Sequence, residues 1–91
     1  MEPFILSIDA GTTGITVVIL DKQASILKKY YSEFRQYYPR SGWVEHDAEE
    51  IWTVTHNLIQ SAFKDYPPSN CAAIGITNQR ETTLIWERKT G

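Results

Sequence analysis

Two apolar runs of this chain each end abruptly in a polar cluster, and this pattern constrains the fold more than any other feature. Residues 4–8 are almost continuously apolar and lead into Asp9 and the turn Gly11–Gly14. Residues 71–77 are also largely apolar and lead into an Asn-Gln-Arg-Glu sequence. Such runs are typical of strands that are covered on both faces. Two buried strands that both end in reactive side chains predict one site, assembled at the strand ends.

The spacing of the apolar residues predicts an α/β fold. Strands over residues 4–8, 15–20 and 26–34 are expected to form a three-stranded antiparallel meander. Asp47 is a predicted helix N-cap with Glu50 as its capping-box partner. An apolar stripe follows at helical spacing: Ile51, Val54, Leu58, Ile59, Ala62 and Phe63. Further strands are predicted over residues 71–77 and 83–86, and the helical crossover predicts that the fourth strand runs parallel to one of the first three.

A single helix can cover only one face of this sheet. The opposite face is therefore expected to expose a row of apolar side chains, whose identity depends on the register of the strands. The candidates are Ile5, Ile8, Val17, Ile19 and Ile74.

Composition and charge exclude several classes of protein. The chain has 91 residues, enough for one small domain, and a formal net charge of −2 without a basic patch, which argues against nucleic-acid binding. No apolar run is long enough to span a membrane. Cys71 is the only cysteine, which excludes an internal disulfide and indicates a reducing cytoplasm.

Asp9 and the turn Gly11–Gly14 form the first candidate site. Glycines let a backbone approach a phosphate closely, and turn N–H groups and threonine hydroxyls can donate to its oxygens. A carboxylate beside a phosphate is useful where a magnesium ion lies between them. The alternative is a β-hairpin with a polar turn, because short Gly/Thr turns are common and are weak signals.

Arg80 and Glu81 form the second candidate site. An arginine fork donates and a carboxylate accepts, so an adjacent pair can hold two neighbouring hydroxyls of a polyol. Asn78 and Gln79 add amides that can do either. The alternative is a surface ion pair in a turn, which would contribute little. His46, just before the predicted cap, is expected to support the loop over residues 35–46 rather than to catalyse a reaction.

The same segments resemble the glycerol kinases of the sugar-kinase family, which is related to actin and hexokinase. The resemblance covers essentially the whole chain and is strongest over residues 9–13, 42–47, 50–52, 72–83 and 89–91. It implies a ribonuclease H-like or actin-like ATPase domain. Residues 1–91 would then be the N-terminal part of the first, polyol-binding kinase domain, and the second domain would be absent.

The resemblance also implies an activity and a role for each site residue. The activity is phosphorylation of glycerol to sn-glycerol 3-phosphate, with ATP and Mg²⁺. Arg80 and Glu81 would bind the glycerol hydroxyls, and Asp9 would help to place the magnesium ion. The implied contacts to nucleotide phosphates are Gly11, Thr12, Thr13 and Gly14. The catalytic base and the adenine site lie outside this chain, so the isolated chain is expected to be inactive.

Three positions depart from the pattern of the glycerol kinases. Thr16 stands where an arginine that helps to hold ADP is common, Gly14 replaces a common serine, and Ala10 replaces a common glutamine. Two alternatives therefore stay open, namely a kinase of another polyol or sugar in the same family and a non-catalytic binding or assembly module. The complete enzyme is expected to be a homo-oligomer in the cytoplasm.

Overall fold

The computed structural model describes residues 2–79 and 82–91. Within these residues the chain forms four strands, one α-helix and a short 3-10 helix. In chain order they are β1 (Phe4–Ala10), β2 (Gly14–Leu20), β3 (Ile26–Glu33), α1 (Ala48–Asp65), the 3-10 helix (Pro68–Asn70) and β4 (Cys71–Thr77).

The four strands form one mixed sheet in the order β3-β2-β1-β4. The pairs β1–β2 and β2–β3 are antiparallel, which confirms the predicted meander. β4 pairs in parallel with β1, as the helical crossover predicted. In this register Leu6 of β1 lies between Ile19 of β2 and Ile74 of β4, so these three side chains share one face of the sheet.

α1 covers that face over β2 and β3. The buried side chains of the sheet are all aliphatic or aromatic and lie beneath the helix: Phe4, Leu6, Ile8, Ile15, Val17 and Ile19. Ala62 of α1 is fully buried, and the rest of the predicted apolar stripe is half-buried against this core. Cys71 is half-buried and packs against the same core, as expected for a small core residue.

The expected row of exposed apolar residues is wrong for Ile8, Val17 and Ile19, which are buried. Ile8 pairs with Val17, and this register turns both side chains toward the helix rather than away from it. Ile5 and Ile74 are exposed, by 38% and 53%. Ile74 lies on the same side of the sheet as the helix but is uncovered, because α1 packs over the other end of the sheet.

α1 begins as predicted at an aspartate cap, but its capping box is not formed. The Asp47 side chain accepts from the N–H groups of Glu49 and Glu50. The Glu50 carboxylate instead accepts from the Arg35 N–H at 2.7 Å and from the Tyr37 hydroxyl at 3.2 Å. The loop that precedes the helix runs back beside the first turn and supplies donors that a local sequence pattern does not reveal.

The last turn of α1 is joined to β3 by a cluster of three polar side chains. The Asp65 carboxylate accepts from Lys28 Nζ at 2.7 Å and from the Tyr30 hydroxyl at 2.6 Å. These two hydrogen bonds lower the pKa of the Asp65 carboxyl, and the bond to Asp65 raises the pKa of Lys28. Partial burial and the neighbouring Asp65 carboxylate raise the pKa of Tyr30 to about 12.

The predicted fifth strand over residues 83–86 is wrong, because residues 82–91 contain no strand. Leu84, Ile85 and Trp86 are exposed. A strand is stabilised by a ladder of hydrogen bonds to a neighbour, and apolar composition alone does not supply that neighbour. Within the described part of the chain, β4 is therefore an edge strand of the sheet. No helix in this part is long and apolar enough to cross a membrane.

Candidate functional site

The carboxyl ends of β1 and β4 lie side by side because the two strands are parallel. The Thr77 hydroxyl donates to the Asp9 carboxylate at 3.0 Å, and the Gln79 side-chain amide donates to the Gly11 carbonyl at 2.9 Å. Residues that are 68 positions apart in the chain thus meet at one edge of the sheet. The predicted assembly of both polar clusters at the strand ends is confirmed for these four residues.

The turn Gly11–Gly14 has all four of its carbonyl groups occupied by donors of the protein. Gly11 O accepts from Gln79 Nε2 at 2.9 Å, and Thr12 O accepts from Gln36 Nε2 at 2.9 Å. Thr13 O accepts from the Phe34 N–H at 3.3 Å, and Gly14 O from the Gly11 N–H at 3.0 Å. The negative ends of these peptide dipoles therefore point into the protein.

The donors of the two threonines in this turn are open to solvent. Thr12 and Thr13 are exposed, and within residues 2–79 and 82–91 neither their N–H groups nor their hydroxyls donate to a protein acceptor. A turn whose carbonyls accept hydrogen bonds from the protein, and whose threonine donors face solvent, is suited to binding an anion, because oriented N–H groups form a concave positive surface. The turn has the chemistry expected of a phosphate-binding loop.

A glutamine–histidine pair supports this turn from one side. Gln36 Oε1 lies 2.7 Å from His46 Nε2, while Gln36 Nε2 faces the carbonyls of Thr12 and Phe34. The His46 ring also packs edge-on against the buried Phe34 ring, with centroids 4.9 Å apart. His46 therefore has the structural role that the sequence predicted, although the sequence did not connect it to the turn.

Asp9 is exposed beside the turn, on the face of the sheet that α1 does not cover. Thr16 of β2 pairs directly with it, so the Thr16 side chain adjoins this carboxylate on the same face of the sheet. Among the described residues there is no group of three or more side chains that could hold a metal ion. Mg²⁺ commonly uses one or two carboxylates together with waters and substrate phosphates, and Asp9 fits that pattern.

Gly14 begins β2 and packs closely against β3. A Cβ atom at this position would lie 2.6 Å from the Tyr31 hydroxyl oxygen and 2.7 Å from the Ser32 carbonyl oxygen. Real Cβ atoms do not approach other atoms so closely, so a side chain does not fit here unless β3 shifts. Glycine at this position is a packing requirement of this chain.

Arg80 and Glu81 lie outside the described residues, so their contacts to a polyol stay a prediction. The residues on either side are linked, because the Thr82 hydroxyl donates to Gln79 Oε1 at 2.7 Å. An open groove of about 560 Å³ lies between the turn and the start of α1. Gln79, Gln36 and Thr12 line it together with apolar side chains that include Ile51 and Leu84.

The two glutamines that hold the turn were not predicted from the sequence. Gln79 was considered only as a possible partner of a polyol, and Gln36 was not singled out. A glutamine in a loop has no periodicity or spacing that identifies its partner. The one available signal was that Gln79 directly follows a strand that was expected to end beside Asp9.

The comparisons with known proteins give the family. The model for the FGGY family of carbohydrate kinases, N-terminal domain, matches residues 4–91. The chain therefore belongs to the FGGY family of carbohydrate kinases. Its mixed sheet and helix are part of the actin-like ATPase fold of that family.

The similar proteins include many glycerol kinases. The chain is 51% identical over 90 residues to the glycerol kinase of Leptospira biflexa, and 50% identical over 93 residues to that of Petrotoga mobilis. These matches cover 97% and 100% of the chain but only 18% and 19% of the two kinases. The chain thus spans less than a fifth of the length of these relatives.

Solved structures of kinases also resemble the fold of this chain. The structure of Plasmodium falciparum glycerol kinase with ADP matches with a TM-score of 0.86 and 36% identity, covering 98% of this chain and 18% of that one. A xylulose kinase from Brucella ovis matches with a TM-score of 0.76 and 23% identity, covering 84% of this chain and 16% of that one. The second likeness shows the fold alone.

Proposed function

We propose that this chain is the N-terminal, polyol-binding part of an ATP-dependent glycerol kinase that forms sn-glycerol 3-phosphate. The observation that carries the proposal is the turn Gly11–Gly14, whose four carbonyls accept from donors of the protein while the N–H groups and hydroxyls of Thr12 and Thr13 stay open. That turn lies in a chain about half identical, along nearly its whole length, to glycerol kinases.

The proposed roles follow from the chemistry of each group. The N–H groups and hydroxyls of Thr12 and Thr13 would bind nucleotide phosphate oxygens, with the backbone of Gly11 and Gly14 allowing close approach. Arg80 and Glu81 would hold two hydroxyls of glycerol and fix its orientation. In-line phosphoryl transfer depends mainly on such positioning and on neutralising charge.

Asp9 would hold Mg²⁺, directly or through water. When bound, the ion neutralises charge on the phosphates. Thr77 donates to one Asp9 oxygen and so orients the carboxylate toward the same edge as Thr12 and Thr13. We propose that the complete kinase works in the cytoplasm, where its single cysteine in this segment would stay reduced. Assembly into a homo-oligomer stays a prediction.

The decisive experiment is kinetic and uses the complete kinase that carries this segment. If Arg80 binds glycerol, Arg80→Ala should lower kcat/KM for glycerol on the order of 10- to 150-fold, because a charged hydrogen bond is lost. The KM for ATP should change much less. Arg88→Ala is the matched control, since Arg88 is exposed near the end of the chain.

Three outcomes would count against the proposal. An unchanged glycerol kcat/KM in Arg80→Ala would favour the alternative that Arg80 and Glu81 form a surface ion pair and do not bind glycerol. A wild-type enzyme that prefers another polyol or sugar would favour the alternative substrate. Turnover by the isolated 91-residue chain, above a control without protein, would contradict the expectation that the base lies elsewhere.

A further inference from the structure

The turn Gly11–Gly14 is oriented by donors that come from outside it. A carbonyl that turned outward would present negative charge to a phosphate and would weaken anion binding. The Thr12 carbonyl lies in the middle of the turn, between the two threonines whose donors are open. Its side-chain donor is Gln36 Nε2, at 2.9 Å, and Gln36 belongs to the loop after β3.

The hydrogen bonds of Gln36 define which way its amide faces. Its nitrogen lies beside two carbonyl oxygens, of Thr12 and Phe34, and carbonyls only accept. The amide oxygen must therefore face His46 Nε2, at 2.7 Å, and the histidine nitrogen donates. A flip of the amide would place its oxygen against the Thr12 carbonyl, and the hydrogen bond to His46 adds a second contact that holds the amide in its present orientation.

His46 is itself held on both sides along the chain. Before it, Tyr37 and Glu45 exchange two backbone hydrogen bonds of 2.8 and 2.7 Å. After it, Asp47 caps α1. Its ring packs on Phe34, which is in the core. A continuous series of contacts therefore runs from the start of the helix, through His46 and Gln36, to the Thr12 carbonyl.

We propose that Gln36 and His46 are positioning residues for nucleotide binding: Gln36 holds the Thr12 carbonyl away from the phosphates, and His46 holds Gln36. This inference rests on the proposed function only in that the turn binds a nucleotide. Neither residue needs to touch the ligand. The pair acts through the orientation of one peptide group.

The test measures the Kd for Mg·ADP by calorimetry with the complete kinase. Gln36→Met keeps the length of the side chain and removes the donor, and should weaken binding about 5- to 50-fold. His46→Phe keeps the ring on Phe34 and removes the donor to Gln36, and should weaken binding in the same direction. The affinity for glycerol should stay within about twofold in both, since the change is local to the turn.

A double variant separates positioning from a general loss of structure. If His46 acts through Gln36, the double variant should bind Mg·ADP no more weakly than Gln36→Met alone. Additive losses, or equal losses of glycerol and nucleotide affinity, would overturn the proposal. Gln60→Met and His56→Phe are matched controls, because this second glutamine–histidine pair lies on the exposed side of α1, with 3.3 Å between its nitrogens.

The remaining outcomes are also decisive. If Gln36→Met does not fold, the Kd of His46→Phe decides, and an unchanged value overturns the inference. A wild-type kinase that binds Mg·ADP but does not phosphorylate glycerol refutes the proposed substrate and leaves the positioning role to be judged on Kd alone. A wild-type protein that binds no Mg·ADP overturns both proposals.

Discussion

Gly14 shows how one residue of the site is determined by packing against a neighbouring strand. The hydrogen on its Cα faces the Tyr31 hydroxyl and the Ser32 carbonyl, where no Cβ can fit. The phenol group of Tyr31 can move away by rotation of the side chain. The Ser32 carbonyl belongs to the backbone of β3 and cannot move without shifting the strand. A side chain at position 14 would therefore separate β2 from β3 at the end of the turn Gly11–Gly14.

Gly14→Ser is expected to destabilise the protein by about 1–3 kcal/mol, as overpacking commonly does. Gly75→Ser is the matched control, because a Cβ at Gly75 of β4 would meet nothing within 4 Å. Thermal unfolding of both variants in the complete kinase gives the comparison. Equal melting temperatures for the two variants would show that the close contact at Gly14 is relieved at no cost.

Individual side chains also show what could be read from the sequence at this scale. Asp47 was predicted as a cap because a cap acts on the N–H groups that directly follow it. Glu50 was assigned to the same local motif, but its partners, Arg35 and Tyr37, come from the preceding loop. Gln36 gave no signal for the same reason, since its partners are set by the fold and not by sequence distance.

Among the elements, α1 and β3 are joined at their ends by Lys28, Tyr30 and Asp65. The lowered pKa of Asp65 means that its charged form is favoured by folding. The stability that it contributes is present above its ordinary pKa of 3.8 and is lost as the pH falls through the lower folded value. The raised pKa of Tyr30, about 12, makes stability depend on pH in the opposite sense. The contribution of Tyr30 to folding stability is complete below pH 10.0 and is lost as the pH rises through about 12.

Asp65→Asn should therefore lower the melting temperature at pH 7, and the difference from wild type should shrink as the pH falls below about 4. Lys28→Met should have little further effect in the Asp65→Asn background, because the two groups act as a pair. Lys29→Met is the matched control, since Lys29 is an exposed neighbour on the same strand. If the melting temperatures of Asp65→Asn and wild type differ by the same amount at pH 7 and at pH 3, the contact does not depend on the charge of Asp65.

The elements themselves were largely predictable. Four strands and the helix follow from runs and periodicities that local physics imposes, and the parallel pairing of β4 follows from the helix that connects it to β3. The segment 83–86 has a similar apolar composition to the real strands but is not one. Composition does not say whether a neighbouring strand is present, and that information lies outside the segment.

At the scale of the whole molecule, the chain is less compact than an independent domain. Its radius of gyration is 15.3 Å, compared with about 12 Å for a compact domain of this length. The side of β4 beyond the helix exposes Ile74 by 53% and Ile76 by 71%, and Trp52 of α1 is also exposed. Within residues 2–79 and 82–91, no strand pairs with the outer edge of β4, which leaves backbone groups there for pairing with another chain.

The isolated chain is therefore expected to self-associate, because uncovered apolar surface and an open strand edge favour contact between copies. Sedimentation velocity and thermal unfolding measure this. Ile76→Glu should reduce association, whereas Val44→Glu, which adds the same charge in an exposed loop, should not. A monomer at roughly 100 µM that melts cooperatively above about 65 °C would contradict the expectation.

The pairing of β1 also fixes the order in which the site can form. β1 and β2 are joined by a short turn, but the partner on the other side of β1 is completed only at Thr77. During synthesis on the ribosome, the meander and α1 are made before β4, and contacts of long sequence separation form slowly. The Gln79 bond to the Gly11 carbonyl is thus among the last to form. A nascent chain that ends before β4 would lack Gln79, so the Gly11 carbonyl of the turn would be without the side-chain donor that it has in the folded chain.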